Sequence, residues 1–194
     1  MKEETIYKEI ILKDGHVLQM SYDQSAESPR EWDNLGTMAI FHSRYNFGDD
    51  DKKVSFSSAD FPGWEEMKEF ITTELKAVIC LPIYMYDHSG ITINTIGFSC
   101  PWDSGQVGFI YVTESQMKDN YGEHYTQEDI ERAQEVLIGE VEIMDQYIQG
   151  QVFSFRIVKN GVQVGESCCG FYGDDITKNR MMEFIPEELL TEES

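Results

Sequence analysis

Two apolar runs, at residues 77–86 and 107–112, flank a short alternating run at 91–96 in the middle of the chain. β-Branched and aromatic residues bounded by Gly, Pro, Asp and Ser read as strands joined by turns, so this stretch predicts the centre of a mostly antiparallel sheet. Upstream, residues 5–12 alternate and end in Lys13-Asp14-Gly15, and residues 16–22 supply a return strand. Asp-Gly between two such runs signals a tight hairpin that needs positive φ. The pattern recurs near the C-terminus, where residues 151–159 alternate, Asn160-Gly161 makes the turn and residues 162–169 return. Residues 35–42 are apolar and fit a strand or a buried helical turn, since Gly36 weakens both.

Helical periodicity appears in four places. Trp64, Met67, Phe70, Ile71 and Leu75 recur at i, i+3, i+4 spacing and predict a helix over residues 63–75. Thr113 opens a short helix to about Tyr121. The longest helix is predicted over residues 127–147, with Thr126 as cap and Asp129 in the position of a capping-box acid. Its apolar stripe is Ile130, Ala133, Leu137, Val141, Met144 and Ile148. A last helix is expected over residues 174–184, and Ser28-Pro29 is expected to open one short helical turn. No linker or internal repeat interrupts the chain, which predicts one α+β domain over residues 1–185, one long and two or three shorter helices packing its sheet, and an acidic tail at 186–194.

Charge changes this picture most. Thirty-six Asp and Glu oppose 15 Lys and Arg, a formal net charge of −21. Such a field repels nucleic acid and anionic membranes, and attracts basic surfaces, including grooves that hold DNA or RNA. High solubility is the plainer consequence of the same charge. At 41% hydrophobic and 12% aromatic the chain has the material for a packed core. No apolar run is long enough to span a bilayer, and no secretory signal is visible in the first residues. Cys80, Cys100, Cys168 and Cys169 lack C-x-x-C spacing and are read as reduced thiols of a cytoplasmic protein, the Cys168-Cys169 pair as buried and unreactive.

Three groups of residues have the makings of a site. On the long helix, Glu128, Glu131, Glu135, Glu142 and Asp145 share an arc of about 100°, opposite the apolar stripe. With Asp49, Asp50 and Asp51 they form the predicted partner-binding surface. Glu140 lies instead at the edge of the stripe, as a partly buried carboxylate. The second group is His42, Asp87, His88, Asp103 and Cys100, whose imidazole, thiol and carboxylates suit acid–base or metal chemistry, although none has the spacing of a metal motif and Asp-His-Ser-Gly is ordinary turn chemistry. With Glu140 these residues define an alternative reading, a small enzyme or ligand-binding protein with a pocket at the central loops. Third, Trp32-Asp33-Asn34 with Arg44 and Asn46 is expected to form an ion pair that fixes a loop. No phosphate-binding glycine loop or nucleophile elbow occurs, so no cofactor is implied.

Segments 28–38 (SPREWDNLGTM), 41–46 (FHSRYN), 86–90 (YDHSG) with 101–106 (PWDSGQ), and 166–173 (ESCCGFYG) together resemble an uncharacterised family of acidic proteins carried by phages, plasmids and other mobile elements. The resemblance runs from about Ile11 to Gly173 and carries no reaction with it. It implies a setting in which small acidic proteins inhibit host defence, some by imitating DNA. The resulting expectation is a cytoplasmic binder of a basic host protein or nucleoprotein complex, with no direct nucleic-acid or membrane contact and with scope for self-association.

Overall fold

The structure, a computed structural model, describes residues 5–190. Its class is α+β, with two four-stranded antiparallel sheets and three α-helices among the described residues. In chain order the elements are β1 (Ile6–Ile11), β2 (His16–Tyr22), β3 (Thr37–Ile40), α1 (Trp64–Thr73), β4 (Ala77–Asp87), β5 (Ile91–Asn94), β6 (Ser104–Thr113), α2 (Glu114–Tyr121), α3 (Gln127–Ile148), β7 (Val152–Lys159) and β8 (Val162–Tyr172). They fall into two compact units. One holds the described residues up to Glu27 and from Gly150 onward, and the other is Ser28–Gln149.

In the first unit the strand order is β1-β2-β7-β8. Both predicted hairpins are present, and the left-handed conformations they require fall on Asp14 (φ 56°), Gly15 (φ 75°), Asn160 (φ 51°) and Gly161 (φ 77°). One sheet face buries Leu18, Met20, Phe153, Phe155, Ile157 and Phe171 against Leu12, Met181 and Ile185. The helix expected over 174–184 is absent. The Asp175 carboxylate takes the N–H groups of Thr177 and Lys178, Asn179 bonds Gly173 and Met181, and Arg180 adopts φ 63°, which leaves only a 3₁₀ turn at Met181–Phe184. Short polar side chains compete here with the helix for backbone partners. Residues 191–194 of the acidic tail lie outside the described residues.

In the second unit the order is β3-β6-β4-β5. Alternation along these strands gives the sheet two apolar faces. Met38, Ile79, Ile83, Ile110 and Val112 pack with Met117 of α2 and Ala133, Leu137, Val141 and Met144 of α3. Ala39, Phe109 and Tyr111 pack with Met67 and Ile71 of α1. Of residues 35–42 only Thr37–Ile40 forms a strand, packed on both faces, and no helical turn occurs there. β6 and β3 approach so closely that a Cβ on Gly108 would lie 1.9 Å from the Ala39 carbonyl oxygen.

Both free edges of this sheet are closed by a carboxylate. At β3, Asp49 accepts the Met38 N–H at 2.7 Å while its own N–H donates to the Met38 carbonyl at 2.8 Å. At β5, Asp145 accepts the Ile93 N–H at 2.7 Å. Capping an edge this way removes a template for unwanted strand pairing.

Candidate functional site

α3 begins with the predicted capping box. The Asp129 carboxylate accepts the backbone N–H and the hydroxyl of Thr126, and these bonds hold its pKa below the ordinary carboxylate value. From that fixed start the helix turns Ala133, Leu137, Val141 and Met144 into the core, and Glu131, Glu135 and Glu142 emerge opposite, exposed. None of these three has a basic partner among the described residues. Glu128 is exposed too, but Arg132 pairs with it one turn on and also approaches Asp129. Asp145 corrects the sequence reading: it is half-buried, engaged by Ile93 and by the Gln149 amide, and does not belong to the outer face. Without it the four glutamates narrow to an arc of about 60° and extend along about 21 Å of helix.

The Asp49-Asp50-Asp51 run divides in the same way. Asp50 and Asp51 are exposed. Asp49 is not available to a partner, because its side chain is 1% accessible and sits against Arg30 at 2.7 Å. Arg30 is the centre of a buried charge cluster. Its guanidinium forks onto both Asp49 oxygens (3.2 and 2.7 Å), reaches Glu140 Oε2 at 2.8 Å and donates to the Gly36 carbonyl at 2.6 Å. Glu140 Oε1 accepts the N–H groups of Leu35 and Gly36. Burial pulls the Arg30 pKa down, but the bonds from Asp49 and Glu140 outweigh it and leave it raised. Glu140 is thus the partly buried carboxylate that the periodicity placed at the edge of the stripe. Its work is to tie α3 to the 28–36 loop, so it lies outside any acid–base site. The Ser28-Pro29 turn aims Arg30 inward: Ser28 caps a 3₁₀ turn over Pro29–Glu31.

Sequence reasoning missed Arg30 and gave its loop-fixing role to Arg44. Arg44 instead pairs with Asp87, its guanidinium 5.3 Å from the centre of the Tyr45 ring. The Ser28-Pro29 turn was legible in the sequence, but nothing in it marks Arg30 as turned into the core rather than towards solvent.

The central loops bring together part of the second candidate group. Asp87 N–H donates to the Asp103 carbonyl at 2.8 Å, which sets the two loops side by side. His88 Nδ1 then lies 3.5 Å from Asp103 Oδ2, and Cys100 Sγ is 3.7 Å from the same oxygen. Both partners of the His88–Asp103 contact are more than a third exposed, so the pair is loosely held in water. His42 stacks on Tyr45 with ring centres 5.1 Å apart and accepts the Arg44 N–H. His42, Asp87, His88, Asp103 and Glu140 therefore do not converge on one pocket: Asp87 is engaged by Arg44, His42 by Tyr45 and Glu140 by Arg30. No group of three or more His, Cys, Asp or Glu among the described residues is arranged to hold a metal. The loop tips carry two large apolar side chains that the pattern did not single out, Ile96 at 89% and Trp102 at 91% exposed.

The cysteines are all free. Burial pushes the Cys80 thiol up to about 12. The adjacent pair departs from the expected buried state, with Cys168 half-buried and Cys169 exposed, because β8 is an edge strand with little covering it. No helix among the described residues is long and apolar enough to cross a membrane. No family model, curated protein or solved structure matches the chain.

Proposed function

We propose that this protein acts by binding, with the outer face of α3 meeting a basic, nucleic-acid-handling surface and denying it to nucleic acid. In the setting implied by the sequence resemblance the partner is a host defence nuclease or its complex. One observation carries the reading: Glu131, Glu135 and Glu142 stand exposed and in line, with no ion-pair partner among the described residues, the nearby Arg132 being turned to Glu128 and Asp129. The net charge of −21 gives the whole molecule the sign such a partner attracts.

Magnitudes refine the idea. Duplex DNA carries a charge about every 1.7 Å of axis, so the roughly 21 Å of helix spanned by four glutamates corresponds to about a dozen phosphate charges. The face is too sparse to copy a duplex phosphate by phosphate. It acts as a charge-complementary dock that competes with nucleic acid for the same basic side chains, and electrostatics of this kind raises on-rate and specificity more than raw affinity.

The test compares tagged wild type with a Glu131→Lys, Glu135→Lys, Glu142→Lys variant in host lysate. Proteins retained by wild type alone at low salt are purified, and the displacement of labelled nucleic acid from them is then measured. The reading requires displacement by wild type and its loss in the variant. Equal displacement by both would remove α3 from the mechanism.

A further inference from the structure

A second place in the Ser28–Gln149 unit has the makings of a binding site, and its lining shares no residue with the exposed glutamates of α3. The end of β3 and the irregular loop after it enclose an open cleft of about 680 Å³, within the range of roughly 300–1,000 Å³ usual for ligand clefts. Phe41 and Phe56 contribute one wall, their ring centres 5.6 Å apart, and the stacked His42–Tyr45 pair contributes another. Asp50 and Asp51 line it as well, both exposed and neither ion-paired among the described residues. The neighbouring Lys52 and Lys53 do not line the cleft, and Lys53 is turned to Asp49.

This combination selects a ligand class. Aromatic faces attract cations through their quadrupole, and two carboxylates with no ion-pair partner among the described residues, Asp50 already accepting the Lys52 N–H on one oxygen, supply further acceptors for N–H donors. Anions are excluded by the carboxylates, and a small inorganic cation has no use for the aromatic walls. A guanidinium on an aliphatic stem satisfies both parts, since it is planar, weakly hydrated and forked. The chain already uses this chemistry beside the cleft, where Arg44 rests on the Tyr45 ring.

We infer that the cleft between residues 40 and 58 binds an arginine side chain presented by another molecule, its guanidinium on Asp50 and Asp51 and its stem against Phe41 and Phe56. Failure of this inference leaves the α3 reading untouched, since the two surfaces share no residue.

The experiment titrates N-acetyl-arginine methylamide into isotope-labelled protein and follows amide and aromatic resonances. Blocked citrulline, which keeps the shape and loses the charge, is titrated in parallel. Saturable shifts confined to residues 40–58, at least about fivefold weaker for citrulline and reduced about fivefold by Asp50→Asn with Asp51→Asn, are expected on the scale of one or two exposed ion pairs. Equal responses to arginine and citrulline, shifts centred elsewhere, or no saturable shift would each overturn the assignment. The citrulline comparison uses wild-type protein, so it decides the matter even if the double variant folds poorly.

Discussion

At the scale of single residues, Arg30 decides more than any other side chain described. It brings together a turn, a strand edge and α3 through partners 19 and 110 positions away. Removing it leaves the Asp49 and Glu140 carboxylates with their guanidinium gone and little water to replace it. Arg30→Ala is expected to destabilise the fold by about 3–5 kcal/mol, the usual result of breaking a buried ion pair. Urea unfolding would measure this, and a loss under about 1 kcal/mol would mean that water replaces the guanidinium easily. Asp129 sets a pH dependence of definite sign. Bonds from the Thr126 N–H and hydroxyl hold its pKa below the ordinary 3.8, so its contribution is complete above that value and fades as pH falls through the lower folded one. The gap in thermal midpoint between wild type and Asp129→Asn should therefore be constant near neutrality and close below about pH 4. A gap that widened on acidification would contradict the assignment. Arg30 itself was not legible from sequence, because nothing local distinguishes an arginine destined for the core from one on the surface.

Elements were the most legible level, and the reason is periodicity. α3, α1 and the two hairpins follow from spacing and turn chemistry that are complete within some twenty residues. The helix expected near Asp174 failed because Asp175 and Asn179 had better local partners than a helix offers. The same limit explains the candidate surfaces: helical arcs identified Glu131, Glu135 and Glu142 correctly as outward-facing, but could not show that Asp145 reaches across to β5 or that Asp49 seals β3. The tight β3–β6 contact yields a sharp prediction. Gly108→Ala forces a Cβ into the space of the Ala39 carbonyl and should cost about 3 kcal/mol, the upper end for overpacking. Gly105→Ala in the same strand meets nothing within 4 Å and serves as the control, with little change expected. Similar denaturation midpoints for the two variants would show that β3 shifts freely.

At the scale of the whole molecule, charge dominates. A net −21 over 194 residues repels itself in the folded state. Added salt screens that repulsion, so the thermal midpoint should rise by a few degrees between about 0.02 and 0.5 M salt. A midpoint that fell would indicate that the internal ion pairs outweigh the repulsion. The same salt must weaken attachment to a basic partner. Stability and binding are thus predicted to respond to ionic strength with opposite signs, which separates an electrostatic interface from simple loss of fold.

The affinity of purified protein for its captured partner, measured across that salt range for wild type and for the Glu131→Lys, Glu135→Lys, Glu142→Lys variant, tests the central claim most directly. Wild-type affinity should fall steeply with salt, and the variant should bind at least about thirtyfold more weakly at low salt, about 2 kcal/mol, a lower bound on what three like-charge contacts impose. A wild-type affinity indifferent to salt, matched by the variant, would contradict the account.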